Sequence, residues 1–220
     1  MPKIHPTEIP DIFTDGSGLF TVNSVPGEAV YGEKLVMQDG VEYRFWNARK
    51  SKLAALVLLG TQVFPFGEKT SVLYLGAASG TTASHLSDVC LHGMIYCVEI
   101  APRPFRKLLS VSEARENMMP ILADANNPDK YSGMVGTVDV LYQDIAQKNQ
   151  AEVMLKNLSL VAKSGYALLM VKSRSIDVTR KPEEVYEDVK KELLDYGITV
   201  LETTILEPYE RDHASFLTRK

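Results

Sequence analysis

Cysteine is scarce in this sequence, long apolar runs are missing, and positive charge is not in excess; each shortage removes a class of protein. There are two cysteines, Cys90 and Cys97, both inside apolar runs, so neither a disulfide framework nor a zinc site is expected and small buried side chains are the ordinary reading. No stretch approaches the ~20 apolar residues that a bilayer span needs. The start, Met1-Pro-Lys-Ile-His-Pro6, does not carry the basic and then apolar pattern of a signal peptide, which sets the expectation of a cytoplasmic protein without membrane contact. A formal net charge of −4 argues against a protein that coats nucleic acid unaided, because phosphate attraction drives most non-specific binding. Neither an internal repeat nor a low-complexity segment is present.

What is there suffices for one ordinary domain with a small appendage: 220 residues, 45% of them hydrophobic, are enough to bury a core. Residues 1–68 read mainly as short strands. Gly18-Leu-Phe-Thr-Val-Asn23, Ala29-Val-Tyr-Gly-Glu-Lys-Leu-Val36 and Val41-Glu-Tyr-Arg-Phe45 are β-rich and are separated by Pro26-Gly27 and Asp39-Gly40, the latter a strong hairpin signal. Ser51-Lys-Leu-Ala-Ala-Leu-Val-Leu-Leu-Gly60 has a capping residue at its start and glycine at its end, which predicts a connecting helix. A break at Pro65-Phe-Gly67 sets the expected boundary between an antiparallel β-rich domain, 1–68, and a second domain, 69–220.

From Ser71 onward, apolar strand runs (Val72–Leu75, Met94–Val98, Pro120–Ala123, Val138–Tyr142, Tyr166–Val171) alternate with helical segments (Thr82–Val89, Pro104–Asn117, Ala151–Ala162). Alternation of this kind implies a parallel sheet covered on both faces, with ligands at the carboxyl ends of its strands. A helix over Pro182–Tyr196 and two closing strands, Ile198–Leu206 and Ala214–Thr218, predict an antiparallel edge hairpin. The expected fold is therefore α/β and Rossmann-like, of the class I methyltransferase kind, with a mostly parallel seven-stranded sheet. The edge hairpin separates it from most dinucleotide-binding folds.

The first strand of this sheet runs into Gly76-Ala-Ala-Ser-Gly-Thr-Thr82 and then a helix, so backbone can approach a ligand closely. Gly76, Ala77, Ser79, Thr81 and Thr82 are the candidate contacts. Ala78 stands where the second glycine of G-x-G-x-x-G would approach a pyrophosphate, which favours a ligand without one, such as S-adenosylmethionine. Each following strand also ends in a group suited to a nucleoside. Glu99, next to Ile100, can accept from both ribose hydroxyls; Asp124 followed by small Ala125 can receive the adenine amino group; and Asp144-Ile145-Ala146-Gln147 closes the fourth strand. One such acid could be an ordinary loop residue, but a series of them marks a site.

Methyl transfer from a sulfonium to an alcohol is an in-line displacement, for which alignment contributes much of the rate and a general base adds ~10² to 10⁴-fold. Lysine serves as base where burial and neighbouring cations depress its pKa and a carboxylate orients it. Lys52, Asp144, Lys172 and His213 lie at or beside strand ends and are the candidates. Lys172 follows six apolar residues, a poor place for an idle charge. Read alone, Lys52 fits a solvated charge at a helix start and His213 a half-buried structural histidine.

At these residues the chain resembles fibrillarin, the RNA 2′-O-methyltransferase of box C/D ribonucleoproteins, in its archaeal form. The resemblance rests on Tyr43-Arg-Phe-Trp-Asn47 with Ser51-Lys-Leu-Ala-Ala55, Tyr74-Leu-Gly-Ala-Ala-Ser-Gly-Thr-Thr82, Ile121-Leu-Ala-Asp-Ala125, Gln143-Asp-Ile-Ala-Gln147, Val171-Lys-Ser-Arg-Ser-Ile-Asp-Val-Thr179 and Glu207-Pro-Tyr-Glu-Arg-Asp-His213, in order over nearly the whole chain. It implies that Lys52, Asp144, Lys172 and His213 form the family's catalytic set, with Lys172 as base and His213 as orienting group. It also implies S-adenosyl-L-methionine as cofactor, ribose 2′-hydroxyls of rRNA and tRNA as substrate, and a box C/D guide RNA, a Nop-type scaffold protein and a kink-turn-binding protein as partners.

Gln143 and Asn149 depart from the commoner pattern, in which an acid precedes the aspartate and proline follows the glutamine. The arginine- and glycine-rich tail of eukaryotic members is absent. Arg44, Arg49, Lys50, Arg174, Arg180 and Lys181 are expected to border an RNA path. The competing readings are a small-molecule O-methyltransferase, against which the lysine-rich centre and the lack of a metal cluster argue, and a non-catalytic assembly subunit, against which Asp144 and Lys172 argue.

Overall fold

A computed structural model describes residues 3–220, which form two sheets. The small sheet contains β1 (His5–Pro6), β2 (Phe13–Thr14), β3 (Leu19–Val22), β4 (Leu35–Gln38) and β5 (Val41–Trp46), all antiparallel, in the order β1-β2-β3-β5-β4. Asp39 and Gly40 close the β4–β5 hairpin with φ of 51° and 82°, the left-handed pair that a tight two-residue turn requires.

One expected strand is corrected. The β-rich run Ala29–Val36 pairs only from Leu35 onward, because its first half is folded into a turn. Gly32 sits at φ 79°, and the Glu33 carboxylate accepts from the backbone N–H groups of Val30 and Tyr31 at 3.0 and 2.8 Å. Those donors bond a side chain in place of a neighbouring strand.

Next comes α1 (Lys52–Leu58), whose N-cap Ser51 accepts from the Ala54 N–H. The large sheet is then built from β6 (Val72–Leu75), α2 (Thr81–Val89), β7 (Ile95–Glu99), α3 (Pro102–Glu113), β8 (Met118–Leu122), β9 (Val138–Gln143), α4 (Gln150–Asn157), β10 (Val161–Lys172), the single turn α5 (Ser173–Ile176), α6 (Pro182–Asp195), β11 (Thr199–Ile205) and β12 (His213–Arg219). Its order is β11-β12-β10-β9-β6-β7-β8, with β12 antiparallel to both neighbours and the other pairs parallel. The helix expected over Ala151–Ala162 is shorter in the structure. It stops at Asn157, a 3₁₀ turn follows over Leu158–Leu160, and β10 begins at Val161.

β6 is buried along its whole length, as a central parallel strand covered on both faces must be. Its alternating side chains feed two cores. Val72 and Tyr74 join a cluster with Leu19 and Trp46 of the small sheet, Leu53 of α1 and Leu86 of α2, whereas Leu73 and Leu75 join Val98, Val153 and Tyr186 on the opposite face. β6 pairs with β7 on one side and β9 on the other, so the connections leaving their carboxyl ends diverge there and open a crevice. No helix among the described residues is long and apolar enough to cross a membrane.

Candidate active site

Two compartments occupy that crevice and share Gly76, Ala78, Asp144, Ile145 and Ala146 as a common wall. The first, about 260 Å³, is lined also by Val98, Glu99, Ile100, Ala123, Asp124, Ala125 and Gln147. Its close packing starts at Gly76, at φ 84°, where a Cβ would lie 2.4 Å from the Asp144 carbonyl oxygen. No side chain other than hydrogen fits.

Glu99 is held by the backbone: the Ala78 N–H donates to Oε2 at 2.9 Å and the Ala101 N–H to Oε1 at 2.7 Å. Each oxygen keeps a further lone pair for a ligand hydroxyl. Asp124 accepts from the backbone N–H and side-chain amide of Asn126 and from the Asn127 amide, contacts that hold its carboxyl below the usual range. Asn126 also donates to the Gln147 side chain at 2.8 Å and accepts from Asn149 at 2.8 Å. One amide thus ties the third strand-end acid to the loop after β9.

Three acids and apolar walls, with no basic group, fit a cationic nucleoside and do not fit a pyrophosphate. S-adenosylmethionine matches that donor set: hydroxyls and an amine for the carboxylates, a ring for the space beside Ile100 and Ala125, and a positive sulfonium for the acidic field.

The second compartment, about 370 Å³, brings together Lys52, Asp144, Lys172 and His213, with Ala77, Thr81 and Thr82 on its wall. Lys52 Nζ lies 2.9 and 3.0 Å from the two Asp144 oxygens. Lys172 and His213 are register partners at the ends of antiparallel β10 and β12. His213 Nδ1 lies 2.6 Å from the Arg211 carbonyl oxygen and so carries the proton there, leaving Nε2 as the ring's other polar atom. Burial first, and Lys52 after it, depress the His213 pKa below 6.5.

Ser79 does not share this crevice. Between Gly76 and Gly80 the chain turns through Ala78 at φ 49°, and Ser79 faces a separate hollow with Tyr31 and Arg106.

Of the cations expected on an RNA path, Arg44 is corrected. It is fully buried, paired with Glu33 at 2.6 Å and Asp88 at 2.7 Å, because it lies on the face of β5 that packs against α2. Arg174 pairs with Asp212, and Arg180 with Glu184 and Asp188. Lys50 alone of that group lines the second compartment.

Sequence reasoning missed Gln150, Ser51, Tyr74 and Glu210. The Gln150 side chain accepts from the Lys172 N–H at 3.0 Å and donates to the Lys172 carbonyl at 3.1 Å and the Gln147 carbonyl at 2.7 Å. It therefore fastens the end of β10 to the loop that follows Asp144. Ser51 accepts from Thr82 Oγ1 at 2.9 Å, linking the start of α1 to the glycine turn. Tyr74 and Glu210 line the compartment beside the catalytic candidates. A buried amide acting across two elements leaves no local pattern in a sequence, whereas Glu210 stands in the same run as His213 and its proximity was a usable signal.

A sheet of this order, with its antiparallel edge hairpin and its ligand crevice at the ends of the first four parallel strands, has the class I methyltransferase fold. Residues 8–220 match the Fibrillarin family model. The chain is 52% identical over 209 residues to the fibrillarin-like rRNA/tRNA 2′-O-methyltransferase of Methanopyrus kandleri, an alignment covering 94% of this chain and 90% of that one. Among solved structures, it is similar to Aeropyrum pernix fibrillarin with natively bound S-adenosyl-L-methionine, with a TM-score of 0.88 and 44% identity over 99% of this chain and 100% of that one. It is also similar to the fibrillarin of a fibrillarin/Nop5p complex, with a TM-score of 0.86 and 43% identity over 94% and 96% of the two chains. The chain belongs to the fibrillarin family.

Proposed function

We propose that this chain transfers a methyl group from S-adenosylmethionine to ribose 2′-hydroxyls of rRNA and tRNA, as the catalytic subunit of a box C/D ribonucleoprotein. The observation that carries the reading is the meeting of Lys52, Asp144, Lys172 and His213 in one compartment whose wall is shared with an acidic, nucleoside-sized pocket.

When bound, S-adenosylmethionine supplies an electrophilic methyl group on a sulfonium sulfur. Glu99 and Asp124 hold its ribose and adenine ends, and Gly76 admits it close to the backbone. Ile100, Ala125 and Ala146 wall the ring. Asp144, paired with Lys52, places a carboxylate between the two compartments. His213 Nε2 orients the incoming 2′-hydroxyl, and Lys172 Nζ takes its proton as the oxygen–methyl bond forms and the sulfur–methyl bond breaks. Gln150 holds Lys172 in line, so part of the rate comes from alignment set before substrate arrives.

An acidic chain needs help to hold RNA. A Nop-type scaffold, a kink-turn-binding protein and a guide RNA are the proposed partners, with base pairing to the guide choosing the nucleotide. The division into an amino-terminal unit, 1–68, and a catalytic unit, 69–220, and a cytoplasmic place of action belong to the same proposal.

The test is transfer of a labelled methyl group by the reconstituted guide complex, with ribose methyls mapped by mass spectrometry. One methylated ribose at the guided position is expected, with little site-specific transfer by the isolated chain. An assembled complex that leaves its target unmethylated would overturn the reading, and efficient guided-site methylation by the chain alone would overturn the delegated recognition.

A further inference from the structure

A hollow of about 800 Å³ lies on the other side of the glycine turn, between the loop at 28–31 and α3. Arg106, Lys107 and Arg115 line it, together with the hydroxyl residues Ser79 and Ser110. Arg106 and Lys107 stand exposed on α3, and among the described residues neither makes an ion pair, unlike Arg44, Arg174 and Arg180.

Arg115 is anchored from behind. Its Nη1 donates to Asp88 Oδ1 at 2.6 Å and to Ser24 Oγ at 2.8 Å, while Nη2 is buried with no partner. Two free cations and two hydroxyl residues, with the Arg115 guanidinium at the wall, together make an oxyanion site, opposed only by the exposed acid Glu28 among its lining residues. The chemistry is opposite to that of the acidic cofactor pocket.

The hollow is separate from the reaction centre, and two side chains in contact bridge the surface between them. Tyr31 lines the hollow, Lys50 Nζ stands 5.2 Å from the centre of the Tyr31 ring, and Lys50 also lines the compartment that holds Lys172. A basic and aromatic track thus leads from the candidate catalytic residues, past Lys50 and Tyr31, to Arg106 and Lys107. Such a track suits a sugar-phosphate strand, whose charges repeat and whose bases stack. An acidic protein segment would have no reason to extend toward the ribose that reacts.

We infer that this hollow binds a backbone phosphate of the RNA strand that carries the target ribose, and that Arg106 and Lys107 are its ligands. The inference rests on the proposed RNA methyltransferase function. Site-directed recognition stays with the guide, while this contact sets where the strand leaves the active site.

The test uses the reconstituted guide complex carrying Arg106→Glu and Lys107→Glu together, both surface positions outside the catalytic and cofactor machinery. KM for the target RNA is expected to rise roughly tenfold, with a shallower dependence on salt, while kcat and S-adenosylmethionine affinity are kept. In parallel, a neutral methylphosphonate is placed at each phosphate of the target strand in turn. One position is expected to weaken the unmodified complex and to have no further effect on the double variant. An active parent complex whose RNA KM does not respond to the double variant overturns the phosphate site and leaves the methyltransferase reading standing. Loss of scaffold assembly in the variant would instead make this a protein interface and overturn the site. A parent complex with no activity would sink both.

Discussion

Lys52 and Asp144 are 92 residues apart in the chain and meet in a two-pronged ion pair, with Nζ 2.9 and 3.0 Å from the two carboxylate oxygens. Lys52 opens α1, whose cap Ser51 is bonded to Thr82 of the glycine turn, and Asp144 is bonded through its N–H to the Leu75 carbonyl at the end of β6. The pair is therefore a brace across three elements as well as a charged group beside the cofactor pocket.

Asp144→Asn removes the charge and keeps the shape. Methyl transfer by the assembled complex is expected to fall by roughly 10²-fold or more, the range lost with acid–base machinery, while the variant still folds because the pair is partly solvated. Single-turnover kinetics at saturating cofactor measure it. An unchanged rate would reduce the pair to a structural brace.

Lys172→Ala is expected to abolish transfer while leaving S-adenosylmethionine binding by calorimetry intact, because Lys172 lines only the second compartment. Retained turnover would remove Lys172 as the base.

Gln150→Ala leaves the Lys172 backbone pair and the Gln147 carbonyl without their amide partner. These groups are only partly buried and water replaces some of the lost bonds, so a fall in stability smaller than the ~1–3 kcal/mol per fully buried group is expected in urea unfolding, together with a lower kcat at an unchanged RNA KM. A fall in stability alone would show that the clamp does not position the base.

Stability should decline as the solution is acidified. Burial, with Arg44 and Arg115 nearby, holds the His85 imidazole well below 6.5, and burial also lowers His213. Both rings take up protons less readily in the fold than in the unfolded chain. Their contribution is thus complete above 6.5 and shrinks as pH falls toward the lowered native values. Urea midpoints measured across that range check it, and the slope should diminish in His85→Gln at matched denaturant. A flat profile would contradict the neutral, buried state of these rings.

Arg44→Met strips the counterion from the buried Glu33 carboxylate and leaves Asp88 with Arg115 as its partner, and is expected to cost about 3–5 kcal/mol, as breaking a buried pair does. Thermal and urea unfolding measure it. A neutral effect would mean that water enters the space between the small sheet and α2.

Much of the large sheet was legible because its information is local. Val72–Leu75 is a run of four apolar residues between turn signals, and the turn from Gly76 to Gly80 needs residues that tolerate positive φ. The Ala29–Val36 run misled because β-propensity counts side chains and not partners. Glu33 captured the donors of Val30 and Tyr31 before any strand could. The basic residues were the least legible. Arg44 and Arg106 look alike in a sequence, yet one is sealed against Glu33 and Asp88 and the other stands free at a hollow.

By itself, the order of residues determined the alternation of strands and helices, the strand-end acids Glu99, Asp124 and Asp144, and the quartet Lys52, Asp144, Lys172 and His213, since each follows from neighbours along the chain or from family motifs. Tertiary structure decided which charges were cancelled, which way Ser79 faced, and that Gln150 clamps Lys172. Those outcomes depend on groups brought together from distant segments, and Coulomb and hydrogen-bond energies are set by separation in space, which chain order does not contain.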